Sequence, residues 1–239
     1  MPLDNRHGVV VGCSRRLGLL ITRKLLESGF RVSGLYRRSS PELRALELLY
    51  PDRLKTFAYN LQELEKLQEL VSHLIRGFGS VFALFHVASQ FYKTPLGQVS
   101  PASWDELFDT NVKGHFFICQ ALIPHLERPS HIINLVDIYA TKPLRGYLAY
   151  AAAKGAFLNL TKNLAYELAP HTQVNAISPG PVLLPENFTD DEKKIQESRT
   201  LLGRTGTPED IWNAISFLLA NRYITGENLC VDGGSSLVG

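Results

Sequence analysis

Short β-branched apolar runs alternate with longer amphipathic stretches along nearly the whole chain, and this alternation leaves few architectures open. His7 to Cys13 (HGVVVGC) reads as a strand running into a glycine turn, and Arg16 to Ser28 as a helix closed by Gly29. Arg31 to Tyr36 is a second strand, Pro41 to Leu49 a helix and Lys55 to Tyr59 a third strand. Leu61 to Phe78 then predicts a long helix, Val81 to Ala88 a buried strand, Pro101 to Leu126 another long helix and His131 to Asp137 a further strand. A helix from Tyr150 to Ala169, a strand from Gln173 to Ser178, a helix from Pro208 to Ala220 and a last strand near Leu229 to Val231 complete the pattern. Strands separated by helices pair in parallel through right-handed crossovers. The fold class is therefore α/β: a doubly wound parallel sheet of about seven strands in one domain spanning 1–239, with a substrate-loop region at about 181–204. Within that region the polar stretch Pro185 to Arg204, following the Pro179-Gly180-Pro181 turn, predicts either a lid or a plain surface helix.

Composition narrows the partners. With 45% hydrophobic residues in 239, the chain can bury a sizeable core. The net charge of +2, from 25 basic and 23 acidic residues, is too balanced for nucleic-acid binding by charge alone, so small molecules are the expected partners. Cys13, Cys119 and Cys230 stand in apolar settings without CxxC or metal-ligand spacing and predict buried reduced thiols, no metal site and a reducing cytosol. No run reaches the ~18 apolar residues of a membrane span, and the N-terminus has no basic-then-apolar leader pattern. The expectation is a soluble cytoplasmic protein with no membrane partner.

The first strand-to-helix turn is Gly12-Cys13-Ser14-Arg15-Arg16-Leu17-Gly18. Glycines here let a pyrophosphate approach the backbone and the helix N-terminus, whose free N–H groups and dipole favour anions. The two arginines favour phosphate further. The second strand ends Tyr36-Arg37-Arg38-Ser39, with no acid to bind a ribose 2′-hydroxyl. Two guanidinium groups and a hydroxyl suit a 2′-phosphate, so NADP(H) is expected over NAD(H).

At the other end of the sheet an apolar strand finishes at Asp137, and Tyr150 and Lys154 stand at i and i+4 of the next helix, on one face. Lys154 would lower the Tyr150 pKa and hold the nicotinamide ribose, and Tyr150 would donate or relay a proton. Asp137 selects the substrate. A carboxylate opposes a developing alkoxide, at a cost on the order of 4 kcal/mol at ~4 Å and an effective dielectric near 20. The same group accepts N–H bonds and can deliver a proton to a ring C=N.

Taken together, the glycine turn, Asn111, Tyr150-x-x-x-Lys154, Pro179-Gly180 and Ile224-Thr225-Gly226…Val231-Asp232-Gly233-Gly234 resemble the short-chain dehydrogenase/reductase family over nearly the whole chain. More narrowly, Arg16, Tyr36-Arg37-Arg38-Ser39, the run Ala88-Ser89-Gln90-Phe91-Tyr92-Lys93-Thr94-Pro95-Leu96 and Asp137 in place of the usual serine resemble the pteridine reductases. The resemblance implies a Rossmann-like fold whose cofactor set is Gly12, Ser14, Arg15, Arg16, Leu17, Gly18, Tyr36, Arg37, Arg38, Ser39, Asn60, Ala88, Ser89, Lys154, Pro179 and Gly180. It places Arg16, Ser89, Phe91, Asp137 and Tyr150 against a pterin, with Phe91 stacked on its ring. It makes Asp137 and Tyr150 the proton-delivering pair, with Lys154 on the ribose and Asn111 supporting the lysine through water. The chain departs from the family at Val11-Gly12, where Thr-Gly is common, and at His86-Val87-Ala88-Ser89, where Asn-Asn-Ala-Gly is common. His86 is expected to replace a bond between the central strands rather than act as acid or base.

The implied activity is NADPH-dependent reduction of a pterin or folate-type C=N bond. Two alternatives carry different expectations: a carbonyl (3-oxoacyl) reductase, which Asp137 opposes, and a non-catalytic NADPH-binding sensor, which would have lost one of Asn111, Tyr150 and Lys154. Apolar residues on several faces of two long helices (Phe116, Phe117, Ile118; Ala156, Phe157, Leu158) predict a homotetramer, in which the C-terminal Ser235 to Gly239 could reach a neighbour's site.

Overall fold

The computed structural model describes residues 5–184 and 188–238. Seven parallel strands form one sheet in the order β3-β2-β1-β4-β5-β6-β7. They are β1 (His7–Val11), β2 (Arg31–Tyr36), β3 (Leu54–Ala58), β4 (Val81–His86), β5 (Leu126–Leu135), β6 (Thr172–Pro179) and β7 (Asn228–Val231). The helices are α1 (Arg16–Glu27), α2 (Pro41–Leu49), α3 (Leu67–Phe78), α4 (Pro101–Phe108), α5 (Gly114–Leu122), α6 (Leu148–Leu168), α7 (Asp190–Ser198) and α8 (Pro208–Ala220).

Successive strand side chains point to opposite faces, so each strand feeds two cores. Val10 joins Ile21, Leu25 and Leu26 of α1, Leu43 and Leu46 of α2, and Ile211 and Ile215 of α8. Its neighbours Val9 and Val11 pack on the other face with Leu70 and Leu74 of α3, Ile118 and Leu122 of α5, and Leu164 of α6. Burial on both faces explains why the central strands β1 and β4 are continuous apolar runs rather than alternating ones. The strand order changes direction between β1 and β4, opening the crevice where doubly wound sheets bind ligands.

Several expected boundaries shift. The helix expected from Leu61 begins at Leu67 after a single 3₁₀ turn, and the one expected from Tyr150 begins at Leu148. The expected helix Pro101 to Leu126 is broken at Asp109–Lys113, where a π turn carries Asn111; α5 then ends in a 3₁₀ turn as β5 begins at Leu126. Pro124 has no backbone N–H to continue the ladder. Within the expected lid, residues 185–187 lie outside the described residues, and the following segment forms α7, capped by a reciprocal Thr189–Glu192 pair. Cys13 and Cys119 are buried as expected, but Cys230 is exposed, because β7 is an edge strand. Among the described residues no helix is long and apolar enough to cross a membrane.

Candidate active site

Gly12 follows β1 at φ +97°, a backbone that favours glycine, and a Cβ there would stand 2.6 Å from the Ala88 nitrogen. At Gly18 a Cβ would stand 1.8 Å from the Gly12 carbonyl oxygen. These two glycines let the turn, α1 and the β4 loop close on one another. No side chain caps the N-terminus of α1 and no acid lies in its first turn, whereas hydroxyls cap α2, α4, α7 and α8. α3, α5 and α6 likewise lack a side-chain cap, but α1 begins directly after the glycine turn at the crevice. Arg16, in the place of a third glycine, adopts φ +51°, and its guanidinium donates to the Leu183 carbonyl, joining this loop to the substrate-loop region. Ser14 and Leu17 are half-buried and Arg15 is exposed.

At the end of β2, Arg37, Arg38 and Ser39 are all exposed, while Ser40 caps α2 through the Leu43 N–H. Tyr36 accepts from the Tyr59 N–H through its carbonyl, bringing the next residue, Asn60, to the same edge. Gly180, after Pro179 at the end of β6, packs so closely that a Cβ would stand 2.7 Å from the Asp232 Cα. The expected cofactor residues therefore line the C-terminal edge of the sheet.

Asp137 follows β5, and its Oδ1 accepts from the Tyr139 N–H at 3.0 Å, capping a 3₁₀ turn over Ile138–Ala140. Its other oxygen accepts from the Tyr150 hydroxyl at 2.6 Å. Burial drives the Asp137 carboxyl above its ordinary value, against the lowering effects of the Tyr139 N–H, the Tyr150 hydroxyl and Lys154. Burial first, then the charge and hydrogen bond of Asp137, hold the Tyr150 phenol well above the ordinary range. The expected lowering of Tyr150 by Lys154 is thus reversed here. The Lys154 ammonium donates instead to the Leu135 carbonyl at 3.1 Å and stands 5.9 Å from the Tyr150 ring centroid. Burial pulls Lys154 down to about 8, opposed by Asp137.

Phe91 is 54% exposed, which removes it from the core. It lies parallel to Tyr147 at 4.5 Å between centroids and edge-on to Tyr150 at 4.7 Å. The loops bearing Phe91 and Tyr147 are zipped together: Thr94 donates its N–H to the Gly146 carbonyl, and its hydroxyl accepts from the Ala149 N–H. The Asn111 side chain is spent on the Phe91 loop. It accepts from the Ser89 hydroxyl at 2.6 Å and the Gln90 N–H at 3.3 Å, and donates to the Gln90 and Leu107 carbonyls at 3.1 and 2.9 Å. Its side chain therefore orders the loop that carries Ser89 and Gln90.

His86 makes its bond to a helix, not across the strands: its Nδ1 lies 2.9 Å from His115 Nδ1 on α5, and His115 Nε2 lies 2.8 Å from the Ala88 carbonyl. A carbonyl only accepts, so His115 carries its proton on Nε2 and His86 donates from Nδ1. Burial lowers both, His115 to about 3 and His86 well below its usual value, so the pair stays neutral and supports the Ala88 loop without acid–base duty. Sequence reasoning missed His115 and Tyr147. His115 lies in an apolar helical run that gave no sign of its partner, whereas Tyr147, three residues before Tyr150, was a legible aromatic. The C-terminal segment is held within its own chain, where Lys142 donates to the Ser235 carbonyl at 2.7 Å and also to the Val238 carbonyl.

A tight glycine turn at a sheet switch point beside a buried Asp–Tyr–Lys group is the arrangement of a nicotinamide-dinucleotide-dependent oxidoreductase. A family model described as Enoyl-(Acyl carrier protein) reductase matches residues 12–236. The 3-oxoacyl-(acyl-carrier-protein) reductase FabG of Staphylococcus epidermidis is 32% identical over 240 residues, covering 96% of this chain and 98% of that protein. Among solved structures, FolM alternative dihydrofolate reductase 1 from Brucella canis, complexed with NADP, superposes with a TM-score of 0.92 at 27% identity, covering 100% of this chain and 96% of that one. A blue fluorescent protein from a metagenomic library, in complex with NADPH, superposes with a TM-score of 0.91 at 28% identity, covering 98% and 99%. The chain belongs to the short-chain dehydrogenase/reductase family.

Proposed function

We propose that the protein is an NADPH-dependent reductase of a flat, nitrogen-containing heterocycle of the pterin or folate type, acting on a ring C=N bond. The observation that carries this reading is the 2.6 Å hydrogen bond from Tyr150 to a buried carboxylate, where a ketone reductase gains from a neutral donor. The site suits the cofactor: Gly12 and Gly18 let the turn pack tightly at the start of α1, no side chain of the N-cap residue occupies that N-terminus, and Arg37, Arg38 and Ser39 are exposed for a 2′-phosphate. NADPH, when bound, supplies the hydride.

Lys154 holds the ribose, and its charge offsets part of that on Asp137. Burial raises the Asp137 carboxyl, which brings its proton affinity nearer neutrality, where it can share a proton with the Tyr150 hydroxyl and deliver it to the ring nitrogen. The Phe91 face is the stacking surface for the heterocycle. Asn111 acts by ordering Ser89 and Gln90. The resemblance of the fold to the Brucella canis dihydrofolate reductase supports this substrate class. An open groove between the π turn with α5 and α6, lined by Val112, Phe116, Ala156 and Leu160 together with Lys113, Asn159 and Asn163, is a surface on which copies could assemble into a homotetramer.

The second reading is a 3-oxoacyl reductase, favoured by the FabG relatives and by the paired Tyr150 and Lys154. Deuterium tracing separates the two. With NADPH labelled at the transferable position of the nicotinamide, the label should appear on a ring carbon of a reduced dihydropterin. Label found only on the hydroxyl-bearing carbon of a reduced acetoacetyl thioester would establish the second reading.

A further inference from the structure

Phe91 is flanked by two residues whose side chains turn away from it and meet on one carboxylate. The Gln90 Nε2 donates to Glu106 Oε1 at 2.9 Å, and the Tyr92 hydroxyl lies 3.0 Å from Glu106 Oε2, shared with the Ser103 carbonyl at 3.0 Å. The Thr110 hydroxyl donates to the Gln90 side-chain oxygen at 3.2 Å, which fixes that amide so that its nitrogen faces Glu106. Asn111 holds the Gln90 backbone from the next turn. Residues 90 and 92 are thus tied to the stretch from α4 through the π turn, and the residue between them is left projecting, exposed, over Tyr147 and Tyr150. Glu106 is half-buried behind the loop, with one carboxylate oxygen facing each of these two side chains.

From this geometry we infer that Glu106 is a positioning residue that fixes the Phe91 ring, and with it the affinity for a flat heterocyclic substrate. The inference deepens the proposed function and rests on it for the substrate class. A carboxylate is suited to the task because it offers two acceptor oxygens to two donors at once. Glutamine at this position keeps the size but removes the charge, and it can hold both groups only by accepting from the Gln90 amide and donating its own nitrogen to the Tyr92 hydroxyl, so both bonds lose their charge assistance and weaken.

The test is E106Q alone and in an F91L background, in the full chain. The KM for dihydropterin is expected to rise about tenfold in E106Q while kcat changes by less than about threefold, and in F91L the added E106Q should have no further effect on KM, since coupled residues do not add. The dissociation constant for NADPH should stay unchanged, which separates ring placement from a general loosening of the site. Amide hydrogen exchange across residues 88–94 in the NADP⁺ complex should quicken by about tenfold in E106Q. Unaltered exchange, an unaltered KM, or an equal E106Q effect with and without Phe91 would each overturn the inference. If the native protein turns over no pterin, the proposed function fails on that result alone. Quickened exchange in E106Q would then still uphold Glu106 as the residue that fixes Phe91, and unaltered exchange would remove it.

Discussion

Replacing Asp137 by Ser removes the buried charge beside the proton donor and leaves a neutral hydroxyl in its place. In the native site Tyr150 donates to the Asp137 carboxylate at 2.6 Å, so an oxyanion that takes the same phenolic proton must form within a few ångströms of that charge. At ~4 Å and an effective dielectric near 20 the repulsion is about 4 kcal/mol, which corresponds to about a thousandfold in rate as an upper limit. The burial that raises the Asp137 carboxyl reduces this penalty at low pH, where the group is protonated, and restores it as the group ionises. D137S should therefore spare or raise the reduction of an acetoacetyl thioester, by a factor that grows with pH. The same change removes the group that shares the proton for a ring nitrogen, so kcat/KM for dihydropterin should fall at least about tenfold, and up to the ~10²–10⁴ that general acid catalysis contributes. The assay is steady-state NADPH oxidation with both substrates from about pH 6 to about 9, a window of about 1–2 units on either side of neutrality. Equal loss on both substrates would refute the charge argument.

Burial pulls Lys154 down to about 8, so turnover that needs its ammonium should decline as pH rises through about 8; K154M should remove this alkaline limb and lower kcat/KM by more than about a hundredfold, as a pH profile would show. In G18A the added methyl would meet the Gly12 carbonyl at 1.8 Å, and overpacking of about 1–3 kcal/mol predicts a drop of roughly 3–9 °C in melting temperature, together with weaker NADPH binding by titration. Changing Arg37 and Arg38 together to Glu removes both cations of the 2′-phosphate site, so the ratio of kcat/KM for NADPH over NADH should fall by about a hundredfold or more, with the melting temperature unchanged because both side chains are exposed.

Strand identity was legible because the central strands are buried on both faces and carry unbroken apolar runs such as Val9, Val10 and Val11. The helix expected from Pro101 to Leu126 was less legible. Nothing in the composition of Asp109–Lys113 distinguishes a π turn from an α turn; what accompanies it is the Asn111 side chain bonding to a loop about twenty residues away in sequence. Tyr150, Lys154 and Asp137 were visible from spacing and strand ends, and the structure brings the first and last into direct contact. The direction of the Tyr150 shift was not visible, because burial and the Asp137 contact outweigh the lysine only once the chain has folded. His115 and Glu106 were missed for one reason: their partners, His86, Gln90 and Tyr92, lie on loops and strands that spacing along the chain cannot pair with them.

The most direct test of the central claim is the ratio of kcat/KM for dihydropterin to that for an acetoacetyl thioester, measured on the native protein with NADPH at pH 7, where an unperturbed Asp, with a pKa of about 4, would be fully ionised. The account predicts a ratio well in favour of the pterin. Turnover of the thioester with none of the pterin would contradict it and make the buried Asp137 compatible with ketone chemistry after all.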